Sequence, residues 1–464
     1  MALDGCRAAE DIIGRDAAVQ TYLLMRKNIE VAEFRWDPRA NKVLKPCRAI
    51  SMENMPFGCL NSGGTFNSKS LSIWLKDRSI PALRPDVMER LHNLGIANTT
   101  ELLSISLGLS LSDQYWVRPC DSDLRWDEVN HFTNGFSSLL GELLLPHDRD
   151  SLPELERMAS SSHSLLGDSP DAALNGNLPK AWVNVDGATL LRKAGRAENR
   201  YQEPFNEVIA TELYRRMLNR GEFVPYELQV DGYLKYFSLC PCMVDEDTEF
   251  VPAIQLYRSH QKANHEGMCD FYTRILREHG LDPDRSLEKM LTLDFLIANF
   301  DRHWNNFGVL IDSDGRNFLG CAPIFDSGEA LWCNRDMHRR FDGYRFDKSD
   351  QIRPFSRDLD EQLMRFCTDL SWFDPSPLGD FDQVIQDALS LNPLVGMEPG
   401  RIDKIVESVH GRIETVSKRA LELNPVFPGM DLDEGFDELL EVKRVESSAC
   451  SELRGPVAEN TQDR

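Results

Sequence analysis

Alternating apolar and polar positions predict the first regular elements of the chain. In VAEFRWD, Ala32, Phe34 and Trp36 fall on one face, as in a half-buried strand. The segment PDVMERLHNLG predicts a helix with Pro85 in its first turn and its end at Gly95. We therefore expect an N-terminal α+β module. A Ser-, Asp-, Pro- and Asn-rich stretch follows and indicates a partly flexible connection, so we set a domain boundary near residue 165.

A different pattern starts near residue 178. KAWVNVDGATLLRKAG predicts two short strands around a turn at Asp186-Gly187. QEPFNEVIATELYRRM then predicts a helix with Pro204 in its first turn, and VPYELQ and YLKYFSLC predict two further strands. Beyond them the chain reads as mainly helical apart from one hairpin. The last stretch, 426–464, loses apolar periodicity and gains charge, which predicts a flexible acidic tail.

The hairpin follows the most apolar of the predicted helices. EKMLTLDFLIANF predicts a buried helix that delivers DRHWNN at its end, and GVLID and NFLGCAPIF predict two antiparallel strands around a turn at Asp314-Gly315. A hairpin returns the chain toward its start. Asn306, before the first strand, and Asp326, after the second, are therefore expected at the same end, together with Asp301.

Two carboxylates and an amide oxygen at one end of a hairpin suit Mg²⁺, which takes few protein ligands beside phosphate oxygens and water. In phosphoryl transfer one Asp receives the proton of the attacking hydroxyl, while an Asn and a second Asp hold the metal. Asp301 is then the candidate base, with Asn306 and Asp326 as metal ligands. The simpler alternatives are an Asp301 that only pairs with Arg302 and an Asp326 that only caps a turn. We interpret His303 as a residue that supports the loop, in preference to a group that transfers a proton.

Composition narrows the class of protein. The 464 residues carry a formal net charge of −23, which opposes binding along a nucleic acid. No apolar run approaches the roughly 20 residues of a membrane span, and no signal-peptide pattern opens the chain. The 11 Cys are scattered, as in a reduced cytoplasmic protein, and His260, His265 and Cys269 match no closed zinc site. We expect a cytoplasmic protein without direct contacts to nucleic acid or membrane.

The DRH block resembles a known family. NFDRH, the later Asn306 and the closing PIFD resemble HipA-type kinases and, more closely, the CtkA-like bacterial kinases; D-R-H with a later D-x-G is also similar to phosphatidylinositol kinases. The resemblance covers roughly residues 175–425. It implies a two-lobed protein-kinase-like fold of the α+β class, with an N-lobe at 166–250 and a C-lobe at 251–425, preceded by the additional module at 1–165.

The same resemblance implies a nucleotide site. A strand Lys contacts phosphates and is held by a helix Glu, for which Lys193 and Glu207 are the candidates and Arg192 and Glu203 the nearest competitors. Gly176 lies where the family has its phosphate-covering loop. Cys242 and Met243 lie where the interlobe hinge meets adenine. The chain departs from typical protein kinases in its D-R-H order, in DSG instead of DFG and in lacking GxGxxG.

The resemblance thus implies an ATP- and Mg²⁺-dependent serine/threonine protein kinase, including autophosphorylation. A protein substrate and a separate DNA-binding, antitoxin-like partner are implied with it. Two alternatives stay open: a catalytically silent nucleotide-binding module of a toxin–antitoxin-like pair, and a small-molecule or lipid kinase.

Overall fold

The computed structural model describes residues 19–146, 151–161, 166–232, 235–335 and 353–424. The tail predicted at 426–464 and part of the predicted connection before residue 165 lie outside these ranges. Within them the chain is a mixed α+β protein with three antiparallel sheets, which confirms the predicted fold class. No helix of the described residues is both long and apolar enough to cross a bilayer.

The first sheet belongs to the N-terminal module. Its order is β3-β2-β1-β4, and Ala32, Phe34 and Trp36 of β2 are fully buried on one face. The helix predicted near residue 85 begins at Val87, so Pro85 precedes it instead of lying in its first turn. The bounds are β1 Gln20–Arg26, β2 Ile29–Asp37, β3 Lys42–Ala49, β4 Tyr115–Pro119, α1 Ser68–Arg78, α2 Val87–Asn93, α3 Thr99–Ile105, α4 Trp126–Val129, α5 Leu139–Leu144 and α6 Leu152–Ser161.

The second sheet forms the small lobe and has the order β5-β6-β8-β7. The turn of its first hairpin is at Asp186 and Gly187, whose φ angles of 52° and 84° allow a two-residue connection. Helix α7 packs on this sheet through Phe205, whose ring centroid lies 4.9 Å from that of Tyr236. The bounds are β5 Lys180–Val185, β6 Ala188–Ala194, α7 Glu203–Met217, β7 Glu227–Val230 and β8 Tyr236–Pro241.

The third sheet, β11-β10-β9, and the remaining helices form the large lobe, which holds the most extensive hydrophobic core of the described chain. The predicted hairpin is present, but its second strand ends at Cys321 and does not continue to Phe325, because Ile324 bridges to Phe223 instead. The bounds are β9 Thr248–Pro252, α8 Ala253–Ser259, α9 Met268–Glu278, α10 Asp284–Leu296, β10 Gly308–Asp312, β11 Phe318–Cys321, α11 Leu359–Phe366, α12 Phe381–Ser390, α13 Pro393–Gly396 and α14 Arg401–Leu423.

The N-terminal module is joined to the segment that connects the two lobes. The side chain of Gln114 donates to the backbone carbonyls of Asp245 (3.1 Å) and Thr248 (3.0 Å). Arg26 pairs with Glu249 at 3.2 Å, and both side chains are almost fully buried. Buried polar contacts of this kind fix relative position, since each lost partner leaves an unsatisfied group. The module is therefore part of the same compact body as the lobes.

Candidate active site

The DRHWNN loop begins in a position fixed by the end of helix α10. The helix ends at Leu296, and Ala298 takes a left-handed conformation with φ of 52°, which turns the chain off the helical path. The Asp294 side chain accepts a hydrogen bond from Asn299 Nδ2, and its carbonyl accepts one from the Asn299 N–H, both at 2.8 Å. The loop therefore folds back on the helix, whereas the sequence predicted that the helix runs up to DRHWNN.

Arg302 is the buried centre of this loop. Its guanidinium donates to both carboxylate oxygens of Asp294 at 2.8 Å, a bidentate arrangement, and none of its side chain is exposed. Its Nη1 also donates to the carbonyls of Asn306, at 3.0 Å, and of Phe325. One nitrogen atom thus links Asn306 to Phe325, the residue that precedes Asp326. The two candidate metal ligands are brought together in this way.

The backbone of the loop is a series of tight turns. The His303 N–H donates to the Asp301 carbonyl at 2.6 Å, and the Asn306 N–H donates to the His303 carbonyl at 2.7 Å. Asn306 Nδ2 donates to the Asp301 carbonyl at 3.3 Å. In the described part of the chain no donor to the side-chain oxygen of Asn306 is found. That oxygen is available to a ligand in the cleft.

The carboxylate of Asp301 is partly buried at the edge of the cleft. Its side chain is 39% exposed, and Oδ2 lies 3.9 Å from His303 Nε2. Burial raises the pKa of Asp301; His303 opposes this shift and the nearby charge of Asp326 adds to it. A carboxylate with a raised pKa is a better proton acceptor when a hydroxyl approaches. His303 contacts Asp301 from the side, as a supporting residue would.

Lys193 connects the small lobe to the end of the hairpin. Its Nζ, on strand β6, donates to the carboxylates of both Glu207 and Asp326, and the lysine is only 3% exposed. Burial opposes the charged form, but the two carboxylates outweigh it and raise the pKa of Lys193 well above its ordinary value. Glu207 also accepts from the Ser327 N–H at 2.9 Å. The predicted lysine–glutamate pair is therefore present as a contact.

The two competing residues point elsewhere. Arg192 is next to Lys193 in β6 and so faces the other side of the sheet, where it donates to Asp231 at 3.1 Å and stacks 3.8 Å from the centroid of the Phe237 ring. Glu203 accepts from Arg196 and Asn199. Neither competitor contacts Lys193.

Asp326 is held in a strained conformation within a cationic environment. Its φ of 60° lies in the left-handed region, and its N–H donates to Tyr226 Oη at 3.3 Å. Burial disfavours its charge, yet Lys193 and then Lys180 more than compensate and hold the pKa of Asp326 well below its usual range. Asp326 is therefore an ionised carboxylate at neutral pH, the form in which an Asp binds Mg²⁺.

The donor set fits one Mg²⁺ ion. Asn306 and Asp326 offer an amide oxygen and an ionised carboxylate at one end of the hairpin, and Mg²⁺ is commonly held by one or two protein ligands together with phosphate oxygens. Among the described residues no group of three or more His, Cys, Asp or Glu could hold a metal, which includes the region of His260, His265 and Cys269. A metal site here would depend on phosphate oxygens for its remaining ligands.

A cleft of about 470 Å³, within the size range of small-molecule sites, is lined by Lys193, Asp301, His303, Asn306 and Asp326. Gly176 and Met243 also line it, whereas Cys242 is turned toward the N-terminal module and its Sγ donates to the Leu111 carbonyl at 3.3 Å. Residues from the N-terminal module form a further wall that sequence reasoning did not anticipate: Gly58, Trp74, Asp77, Arg78, Ser110, Ser112 and Asp113.

Lys180 is a further cleft residue that the sequence did not predict. It faces Lys193 directly across the β5–β6 hairpin, so both lysines lie on the same face of the sheet. Burial lowers the pKa of Lys180 to about 8, Asp326 opposes this shift, and the like charge of Lys193 adds to it. The signal was present, because a two-residue turn at Asp186-Gly187 fixes this register.

Comparisons with known proteins add a distant structural likeness. No protein-family model matches the chain, and no curated protein is similar to it in sequence. A solved structure, a Helicobacter pylori proinflammatory kinase named CtkA, is similar at 18% identity and a TM-score of 0.34; the match covers 51% of this chain and 95% of that one. A likeness this distant does not decide the activity, which has to be inferred from the cleft.

Proposed function

We propose that the protein is an ATP- and Mg²⁺-dependent phosphotransferase whose acceptor is a Ser or Thr side chain of a protein. The observation that carries the proposal is the meeting of four side chains in one cleft: Lys193, and Asp301, Asn306 and Asp326 at the end of the hairpin. Glu207 does not line the cleft but pairs with Lys193 from behind it. Phosphoryl transfer needs little beyond positioned cations on the phosphates and a carboxylate near the attacking hydroxyl. The cleft contains residues suited to each of these tasks.

Asp301 is the group that would receive the acceptor's proton. Its carboxylate is exposed to the cleft, and its backbone is fixed by hydrogen bonds from His303 and Asn306. The burial that raises its pKa favours proton acceptance. His303 would orient Asp301 and partly compensate its charge.

The phosphates would be bound on the opposite side of the cleft. Lys193 and Lys180 present two cations there, and the Glu207 pair keeps Lys193 in place. Asn306 and Asp326 would hold Mg²⁺, which would neutralise phosphate charge and orient the transferred group. Lys193 would then exchange its contact with Asp326 for one with a phosphate oxygen. Its second partner, Glu207, makes this exchange possible without leaving the lysine unpaired.

The choice of a protein hydroxyl rests on the resemblance of the DRH block to HipA-type kinases. The net charge of −23 agrees with a protein that leaves any DNA contact to a separate antitoxin-like partner. Autophosphorylation belongs to the same proposal.

The test is transfer of labelled phosphate from ATP in the presence of Mg²⁺, with the full chain and an Asp301→Ala variant. The wild-type protein should label itself or a protein substrate, and the variant should lose roughly 10²- to 10⁴-fold in rate, as expected for removal of a general base. Nucleotide binding should be retained, because Asp301 lies on the acceptor side.

Three results would contradict the proposal in different ways. Nucleotide binding without transfer to any protein or small molecule would favour the silent binding module. Transfer confined to a small molecule or lipid would keep the phosphotransferase and exclude the protein acceptor. Equal transfer by wild type and Asp301→Ala would remove Asp301 from the mechanism.

A further inference from the structure

The segment that covers the phosphate side of the cleft is held from behind by the N-terminal module. Arg84, which precedes helix α2, donates through Nε to the carbonyl of Gly176 at 3.0 Å and through Nη2 to the carbonyl of Leu174. Arg84 is only 2% exposed, and it is not among the residues that line the cleft. The loop 174–178 lines the cleft throughout. The loop therefore lies between Arg84 and the cleft.

The orientation of these two carbonyls determines the orientation of two amide groups. In a trans peptide the C=O and the following N–H point in opposite directions. The carbonyls of Leu174 and Gly176 point to Arg84, so the N–H groups of Asn175 and Asn177 point away from it. Since the cleft is on that other side, the two N–H groups face it.

Neither of these N–H groups has a partner among the described residues. The amide N–H of Gly176, which lies between them, is already bonded to Asn175 Oδ1 at 2.6 Å. Gly176 itself has φ of +102°, a conformation that glycine adopts without strain, and its neighbour in space is the amino group of Lys180. Two free backbone N–H groups that face the same cleft beside a lysine can bind an anion.

We infer that Arg84 is a positioning residue by which the N-terminal module orients the Asn175 and Asn177 amides for the nucleotide phosphates. The inference rests on the proposed function for its ligand, an ATP-like polyphosphate. It assigns to the N-terminal module a contribution to phosphate affinity that the two lobes alone could not supply. Arg84 touches no ligand in this scheme; it acts through the loop.

A matched control exists in the same module. Arg90 is also buried and also donates to a backbone carbonyl, that of Leu145, at 3.1 Å. Neither Arg90 nor Leu145 lines the cleft. Arg90→Met therefore removes a comparable buried contact without touching loop 174–178.

The experiment measures the affinity of the full chain for Mg-ADP and for adenosine, with wild type, Arg84→Met, Arg84→Lys and Arg90→Met. Arg84→Met should weaken Mg-ADP binding about tenfold or more, because phosphate loses oriented charge-assisted donors. Adenosine, which has no phosphate, should bind equally to wild type and to Arg84→Met. Arg84→Lys, which keeps one donor, should be intermediate, and Arg90→Met should match wild type for both ligands.

A general loss of structure would weaken both ligands, so the contrast between ADP and adenosine separates positioning from folding. If Arg84→Met does not fold, Arg84→Lys supplies the same contrast. Equal Mg-ADP affinity of wild type and the folded Arg84 variants would overturn the inference, and so would an equal loss with Arg90→Met. These binding results do not depend on phosphate transfer; a wild type that binds Mg-ADP but transfers nothing would refute the enzyme and leave the Arg84 comparison valid. A wild type that binds no nucleotide would refute both.

Discussion

Two buried cations pair with carboxylates in different ways: Arg302 in the DRHWNN loop pairs with Asp294, and Lys193 on strand β6 pairs with Glu207 and Asp326. Arg302 and Asp294 are 0% and 2% exposed, and their contact is bidentate. Lys193 is shared between Glu207, which is 2% exposed, and Asp326, which is 25% exposed and faces the cleft. The first pair is closed to solvent and ligands. The second pair is closed to solvent at Glu207 and open to the cleft at Asp326.

The choice of cation follows this difference. A guanidinium is planar and always charged, so it suits a permanent contact that fixes two chain segments at once. An ammonium group is compact, and its donors have no fixed planar arrangement. It can therefore exchange a carboxylate partner for a phosphate without rearrangement of the surrounding residues. Arg302 therefore holds the chain segments around the site in place, whereas Lys193 is available to contact a ligand in the cleft. Breaking each pair should affect a different property of the protein.

The largest expected effect comes from the open pair. Asp326→Asn should lower phosphate transfer about 10³-fold, because the proposed Mg²⁺ ligand loses its charge where the phosphate charge must be balanced. The free energy of unfolding should change by less than about 2 kcal/mol, since Lys193 keeps Glu207 as its partner. The measurements are initial transfer rates at saturating Mg-ATP and urea unfolding of both proteins.

A different outcome would break the distinction between the two pairs. If Asp326→Asn unfolded at much lower urea concentrations, Asp326 would be a structural partner of Lys193 and not an exchangeable one. Activity close to that of wild type would remove Asp326 from metal binding.

The closed pair should show the opposite behaviour. Arg302→Met leaves the Asp294 carboxylate buried without its cation, and removing one member of such a pair costs about 3–5 kcal/mol of stability. The double variant Arg302→Met/Asp294→Leu should recover part of this loss, because it leaves no unpaired charge. Recovery will be incomplete, since the carbonyls of Asn306 and Phe325 still lack their donor. A double variant no more stable than Arg302→Met would show that the charge of Asp294 is not the cause.

Sequence patterns predicted the local elements of the fold because their causes are local. The turn at Asp186-Gly187, the strand at Ala32 to Trp36 and the hairpin after Asn306 follow from alternation and turn chemistry. One error occurred where a distant segment intervenes. The strand after the Asp314 turn stops at Cys321 because the next residues pair with the segment around Phe223.

The candidate site was predictable where the hairpin returns the chain toward its start, as for Asn306 and Asp326. Their roles remain predictions. The part played by Arg302 could not be derived, since its partners Asp294 and Phe325 lie on opposite sides of it in the chain. The contact of Arg84 with Gly176 spans 92 residues and depends on how the module docks. No periodicity encodes such a contact.

The smallest expected effect is a pH dependence on the open side of the cleft. Burial lowers the pKa of Lys180 to about 8, so the free protein loses this charge as the pH rises through that value. The affinity for Mg-ADP should therefore fall several-fold between about pH 7 and pH 9, since most of a group with a pKa near 8 is neutral at the upper limit. Lys180→Arg should bind with little change over this range because a guanidinium stays protonated.

Stability should move in the other direction over the same range. The unfolded chain keeps a proton on Lys180 up to about pH 10.4, whereas the folded chain releases it near pH 8. The unfolded state then binds more protons, so the free energy of unfolding of wild type should rise with pH relative to that of Lys180→Arg. Parallel pH profiles of the two proteins, in binding and in unfolding, would mean that Lys180 does not titrate in the cleft. The charges on the open side of the cleft would then come from Lys193 and Asp326 alone.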